Sequence, residues 1–193
     1  MQLRKTVLCS CLVVATLFAT AAAAQNAPRR EPDVPFVPTT EEAVAAMLKL
    51  ADVKKTDVVY DLGCGDGRIV IAAAKTYGAR AGGIDINPVR RAEAAENLKK
   101  AGPEVAKLVR FEENDLFQAD IHEATVVTLF LLSSVNLKLR PKLLADLKPG
   151  TRVVSNTFDM GDWKPEKEFT VGNPDEESYL SHKLYLWIIP ARK

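Results

Sequence analysis

Val58-Val59-Tyr60-Asp61-Leu62-Gly63-Cys64-Gly65-Asp66-Gly67-Arg68 is the stretch that decides the fold. An apolar run ends in an acid, three glycines follow at alternate positions, and a helical pattern opens at Arg68 and continues through Ile69-Val70-Ile71-Ala72-Ala73-Ala74-Lys75. Strand, tight glycine turn and helix in that order form the opening unit of a doubly wound α/β sheet. Glycine lets backbone approach a ligand closely because it carries no Cβ and tolerates positive φ. The carboxyl edge of the sheet, where the strand hands over to the helix, is where such folds take nucleotide-like ligands.

The spacing separates two classes of ligand. A pyrophosphate site reads G-x-G-x-x-G and places the anion on a helix N-terminus. Here the pattern is G-x-G-x-G, with Asp61 in front and Asp66 inside it. Two carboxylates at the turn disfavour a pyrophosphate and suit a ligand with a cationic end, such as S-adenosylmethionine with its ammonium and sulfonium. A nicotinamide dehydrogenase is disfavoured on the same ground. A glycine turn with no ligand is the plainer alternative. Two further acids argue against it. Asp85 ends a second strand, Ala81-Gly82-Gly83-Ile84-Asp85-Ile86, where a carboxylate accepts from ribose hydroxyls. Its structural alternative is a helix cap, although Asn87 before Pro88 is the better cap and leaves Asp85 free. Asn114-Asp115-Leu116-Phe117 follows a third strand near 108–112, and a turn would also explain Asn-Asp there.

Outward from this centre the pattern continues as βα units. Thr39-Thr40-Glu41-Glu42 opens a helix before the first strand, with Thr39 as expected N-cap and Glu42 completing a capping box. Residues 88–101 form another helix, and 124–131 is an apolar fourth strand suited to the sheet centre. Residues 137–147 are helical up to Pro149-Gly150, and 151–155 are a fifth strand. Residues 169–171 and 179–189 pair as a hairpin around a loop at 172–178. The predicted architecture is a Rossmann-like, mostly parallel sheet with an antiparallel terminal hairpin.

The chain has 193 residues, 47% of them hydrophobic, which suits one globular domain. Arg4 and Lys5 precede an apolar stretch, Val7 to Ala19, and then Ala21-Ala22-Ala23-Ala24, the composition of a signal peptide cut between Ala24 and Gln25. An uncleaved membrane anchor fits the same stretch, and a mitochondrial presequence fits its lack of acids less well because it is Arg-poor. Removing residues 1–24 takes two of the 26 basic residues and none of the 25 acidic ones, so the net charge moves from +1 to −1. That balance gives no basic field for a nucleic-acid partner. Cys9 and Cys11 leave with the segment, so Cys64 alone remains and the mature domain holds no internal disulfide. His122 and His182 are the only histidines and lack metal-ligand spacing. Residues 25–38 hold four prolines and read as an extended linker, which places the domain at 39–193.

Several phrases together resemble one family. D-x-G-x-G-x-G after a strand is similar to motif I of class I methyltransferases. Val34-Pro35-Phe36-Val37-Pro38-Thr39, Asp85-Ile86-Asn87-Pro88, Asp115-Leu116-Phe117, and the helix from Val135 into Leu147-Lys148-Pro149-Gly150 resemble the lysine methyltransferases of mitochondrial membrane proteins and their small bacterial relatives. The resemblance covers about residues 34–165 and implies the class I methyltransferase fold, S-adenosylmethionine as cofactor, and a protein lysine, one near a membrane included, as acceptor. It implies that Gly63, Gly65 and Gly67 pass beneath the cofactor and that Asp61 meets its ammonium. Asp85 would hold the ribose, Ile86 pack on the adenine, and Asn114, Asp115 and Leu116 line the adenine amino edge.

A lysine acceptor must lose its proton before it attacks, and desolvation by an apolar wall of Phe130, Leu131 and Leu132 favours that loss. Polar candidates at the acceptor end are Thr39, Asn136, Asn156 and Asp159. Each has a local alternative: Thr39 and Asn136 as helix caps, Asn156 and Asp159 as turn residues. A small-molecule methyltransferase and an exported, non-catalytic cofactor-binding protein stay open beside the protein-lysine reading, since a cytosolic cofactor and an export signal sit uneasily together.

Overall fold

The computed structural model describes residues 31–172 and 182–192. The signal segment and most of the hairpin loop lie outside the described residues. Seven strands form one sheet in the order β3-β2-β1-β4-β5-β7-β6. They are β1 (Val58–Leu62), β2 (Arg80–Asp85), β3 (Val109–Glu113), β4 (Val126–Leu129), β5 (Arg152–Asn156), β6 (Lys167–Val171) and β7 (His182–Ile188). The first five are parallel; β7 inserts antiparallel between β5 and β6. The chain order reverses between β1 and β4, and the crevice at their carboxyl ends is the switch point of the fold.

Among the described residues, helix α1 (Glu41–Leu50) precedes the sheet, and α2 (Arg68–Tyr77), α3 (Pro88–Ala101), the short α4 (Pro103–Ala106) and α5 (Ser133–Asp146) join its strands. Alternation along the strands divides the core into two layers. Val59, Ala81, Val126, Val154 and Leu184 pack with Val44, Met47, Ile69 and Val70 of α1 and α2. Val58, Tyr60, Leu62, Val127, Leu129, Val153 and Trp187 pack with Val135, Leu139 and Leu143 of α5 on the other face. A leucine as completely buried as Leu139 or Leu143 contributes about 2–3 kcal/mol relative to an exposed one.

Three local expectations change. Thr40, not Thr39, caps α1: its Oγ1 accepts from Ala43 N at 3.2 Å. The fourth strand runs only from Val126 to Leu129, and Phe130 lies past its end, stacked on Phe158. Helix α5 begins four residues early, at Ser133, so Asn136 is buried within it and is not its cap. Asn87 caps α3 as expected, accepting from Val89 N at 2.9 Å ahead of Pro88.

Candidate active site

The glycine turn is held in the left-handed region at all three positions, with φ of 84° at Gly63, 53° at Gly65 and 79° at Gly67. L-residues rarely adopt this conformation, which is why the motif demands glycine. Space makes the same demand. A Cβ at Gly65 would lie 2.3 Å from the Phe36 ring, and one at Gly67 would lie 2.5 Å from Phe111 Cζ. Gly63 N and Cys64 N both donate to Ile84 O, at 2.8 and 3.0 Å, so the turn is tied to the end of β2.

Asp85 completes that tie. Its Oδ2 accepts from Gly65 N at 2.9 Å and its Oδ1 from Asn87 N at 2.8 Å. Contrary to the capping argument, the carboxylate is therefore not free; it joins the glycine turn to the start of α3 and keeps its remaining lone pairs for a ligand. Ile86 follows it, half-buried. Asp115 stands two residues past β3, where its Oδ1 accepts from Phe117 N at 2.9 Å. Asn114 N donates to Asp85 O at 3.2 Å, drawing this loop to the same edge, and Leu116 packs against the α5-side core. Asp61, Asp85 and Asp115 thus gather at the carboxyl ends of β1, β2 and β3, beside the glycines.

Asp61 differs from the other two. It is 3% exposed and lies in register with Thr128 of β4, whose Oγ1 donates to Asp61 Oδ1 at 2.7 Å. Burial pushes its carboxyl up to about 7; the Thr128 hydrogen bond opposes this, while the charges of Asp85 and Asp66 add to it. Thr128 escaped the sequence reading, although a lone hydroxyl inside the apolar run Val126-Val127-Thr128-Leu129 was the available signal.

Asp66, the second charge expected at the turn, is paired with Arg68 while still adding to the negative field at Asp61. Arg68 Nε donates to both its oxygens, at 2.9 and 3.1 Å. Although burial raises the Asp66 carboxyl, the Arg68 guanidinium outweighs this and holds it below its usual value. The same arginine reaches Thr39 O at 2.6 Å, which fixes the entry to α1 above the glycine turn. Residues 34–38, read as linker, include Phe36 packed on Gly65, with the Arg90 guanidinium 4.5 Å from its ring centre.

The polar candidates at the acceptor end are placed as follows. Thr39 is 4% exposed beneath this strap. Asn136 Nδ2 donates to Ser155 Oγ, Phe158 O and Asp159 O, at 3.2, 3.1 and 3.2 Å, and so pins the loop after β5. The Asp159 side chain is exposed and accepts from Gly161 N at 3.1 Å, closing a turn. Asn156 ends β5, completely buried, and its Oδ1 lies 3.0 Å from His182 Nδ1. Of the expected wall, Leu131 is buried against Gly63, Phe130 is half-buried, and Leu132 faces solvent. Among the described residues there is no cluster suited to a metal ion, and no helix is long and apolar enough to cross a membrane.

The profile of the ANTKMT methyltransferase domain matches residues 61–167, from the motif acid to the start of β6. The chain belongs to that family. A protein-lysine N-methyltransferase of Saccharolobus islandicus is 47% identical over 163 residues, covering 84% of this chain and 98% of its own. The mouse adenine nucleotide translocase lysine N-methyltransferase is 35% identical over 68% of the chain, which spans 56% of that relative's length. An RNA methyltransferase of Salinibacter ruber, crystallised with S-adenosyl-L-homocysteine, is 55% identical with a TM-score of 0.74, over 81% of this chain and 96% of that one. The expected class I fold is therefore present in an ANTKMT-family methyltransferase, with its glycine turn and strand-end acids inside the matched range.

Proposed function

We propose that this ANTKMT-family chain methylates lysine side chains of proteins, with S-adenosylmethionine as donor. Supporting the acceptor class is one observation above others: near-complete overlap, at 47% identity, with a protein-lysine N-methyltransferase. The residues present fit the cofactor. The glycine cradle leaves no room for side chains, and Asp61 is a buried carboxyl bonded only to a hydroxyl among the contacts described, which an ammonium would complement. Gly63, Gly65 and Gly67 would hold the methionine portion with Asp61, Asp85 would hold the ribose with Ile86 beside the ring, and the Asn114–Leu116 loop would hold the adenine. When bound, S-adenosylmethionine supplies a methyl group activated by a sulfonium. The chain's own task is to orient the acceptor and strip it of water and of one proton.

RNA as acceptor is a second reading, favoured by the 55% identity to the Salinibacter RNA methyltransferase. The near-zero net charge argues against it, because nucleic-acid surfaces depend on clustered lysine and arginine. Incubation of the protein with methyl-labelled S-adenosylmethionine and a cell extract separates the two. Label that survives nuclease, disappears with protease and elutes as methyl-lysine is expected. Label confined to RNA or to small metabolites overturns the protein reading, and S-adenosylhomocysteine binding without transfer to anything identifies a binding protein.

We further propose that residues 1–24 export the domain. Arg4 and Lys5, the apolar stretch and the alanine run support this. N-terminal sequencing of the native protein is expected to begin at Gln25. An intact start at Met1 with the domain in the membrane fraction would instead mark the segment as an anchor, and would place the acceptor near a membrane.

A further inference from the structure

We propose that His182 is the base that takes the proton from the incoming lysine ammonium, with Asn156 holding its imidazole. This rests on the protein-lysine reading above and names the group that serves it. His182 opens β7, which runs antiparallel to β5, so its first residue lies at the same sheet edge as the carboxyl ends of β4 and β5. The ring meets Phe130 edge-on at 6.2 Å, and Phe130 stacks on Phe158 at 6.1 Å. Phe130 is the residue that leaves β4, next to Leu131, which packs on the motif glycine Gly63. The histidine is thereby joined to the crevice through the aromatic wall.

Its hydrogen bonds fix which nitrogen is available. Asn156 Oδ1 can only accept, so His182 Nδ1, 3.0 Å away, must carry the hydrogen. That leaves Nε2 with a bare lone pair, buried and without a partner among the described residues, and Asn156 Nδ2 is likewise buried and unpartnered among them. Orphaned polar atoms of this kind are rare in a folded interior, and two side chains bonded to each other each supply one here. Thr157, which follows Asn156, sits at φ 66°, strained for a β-branched residue. The strained turn is held by Thr157 N donating to Lys183 O at 2.7 Å and Thr157 Oγ1 donating to Asn156 Oδ1 at 3.0 Å.

In the proton transfer, one N–H bond of the lysine ammonium breaks and an Nε2–H bond forms. The electron pair stays on the lysine nitrogen, and the charge moves to the imidazolium. Partly exposed Phe130 and Phe158 supply an apolar approach that lowers the lysine pKa towards that of the ring. Burial holds the imidazole below its ordinary value, so it is neutral and able to accept at neutral pH. Glu42, from α1, is the charged group that faces it and favours the imidazolium once formed. From the other elements packed on it come Phe130, Asn156 and, on β6, Val171.

Two measurements test this on the intact protein. In nitrogen NMR of the two histidines at pH 8, His182 is expected to show a protonated Nδ1 and an unprotonated Nε2; hydrogen on Nε2 would overturn the proposal whether or not an acceptor protein is known. For turnover the probe is a short lysine-containing peptide with S-adenosylmethionine. His182→Gln is expected to bind S-adenosylhomocysteine as the wild type does, to lose about 100-fold in kcat, and to lose the acidic limb of the kcat–pH profile. Asn156→Ala is expected to shift that limb. A His182→Gln variant that keeps the wild-type rate and limb overturns the assignment alone. A wild type that methylates RNA and no lysine overturns the protein-lysine reading, and this base with it.

Discussion

With a carboxyl pushed up to about 7, Asp61 is near half protonation at neutral pH, and its charged form is the one a cationic ligand needs. An ammonium beside it would pull the carboxyl back down, so binding selects the ionised form and releases a proton when the pH is below 7. The expected result is an affinity for S-adenosylhomocysteine that is flat above pH 7 and weakens as pH falls, approaching tenfold per unit, with proton release seen by calorimetry in buffers of different ionisation enthalpy. Asp61→Asn should bind at least about 100-fold more weakly and show no such dependence. Stability carries the opposite sign. The folded carboxyl lies above the unfolded value of about 3.9, so the folded state holds the extra proton, and the contribution of Asp61 falls as pH rises from about 4 to 7. Without ligand, Asp61→Asn should therefore be more stable than the wild type at pH 8, by on the order of 2 kcal/mol in urea unfolding. A variant that bound as well as the wild type would remove Asp61 from the site.

At the scale of elements, α1 is positioned from the opposite end of the sheet. Arg152 of β5 donates to Ala51 O and Asp52 O at 2.8 and 3.0 Å, closing the helix end, and is paired with Asp57 just before β1. Asp57 also accepts from Thr125 Oγ1 at 2.7 Å and Lys54 N at 2.6 Å. Removing the buried Asp57 carboxylate takes a charged partner from half-buried Arg152 and an acceptor from Thr125 and Lys54 N, so Asp57→Ala should lose about 2 kcal/mol of stability at pH 7. Burial raises this carboxyl, but the hydrogen bonds and Arg152 together hold it below its usual value. Its contribution is thus present above pH 4 and lost as pH falls through the folded value, and the gap in melting temperature between variant and wild type should close in acid. Apolar runs made the strands legible from Val58 to Val154, most clearly at β1, β4 and β5, which are buried on both faces, and least at the edge strand β3, where only Val109 is buried. The ends were less so. The apolar run 124–131 could not show that Phe130 departs from the sheet, and nothing local marks Ser133, rather than Leu137, as the start of α5. At the site, acids and glycines in one short motif were readable, whereas Thr128 opposite Asp61, and His182 beside Asn156, depend on strand register between residues more than 25 positions apart.

Considered as a whole molecule, the catalytic domain begins earlier than its first helix. Proline spacing marked residues 25–38 as a linker, since an extended, proline-rich stretch has no periodicity by which to read docking. Yet Phe36, 42% exposed, lies against Gly65 and beneath the Arg90 guanidinium, and Arg68 holds Thr39 O from the first turn of α2. Cation–π contact and partial burial of one ring each contribute on the order of 1 kcal/mol, and here both act on the turn whose shape the cofactor site needs. A chain starting at Gln25 should therefore fold and bind S-adenosylhomocysteine as the full chain does. One starting at Thr39 should keep the sheet, seen as an unchanged far-ultraviolet circular dichroism spectrum, but bind roughly tenfold more weakly. Phe36→Ala in the longer chain should reproduce most of that loss, because the ring and not the proline backbone touches Gly65. Equal affinity for all three would return residues 34–38 to the role of spacer, and would leave Gly65 constrained by its positive φ alone.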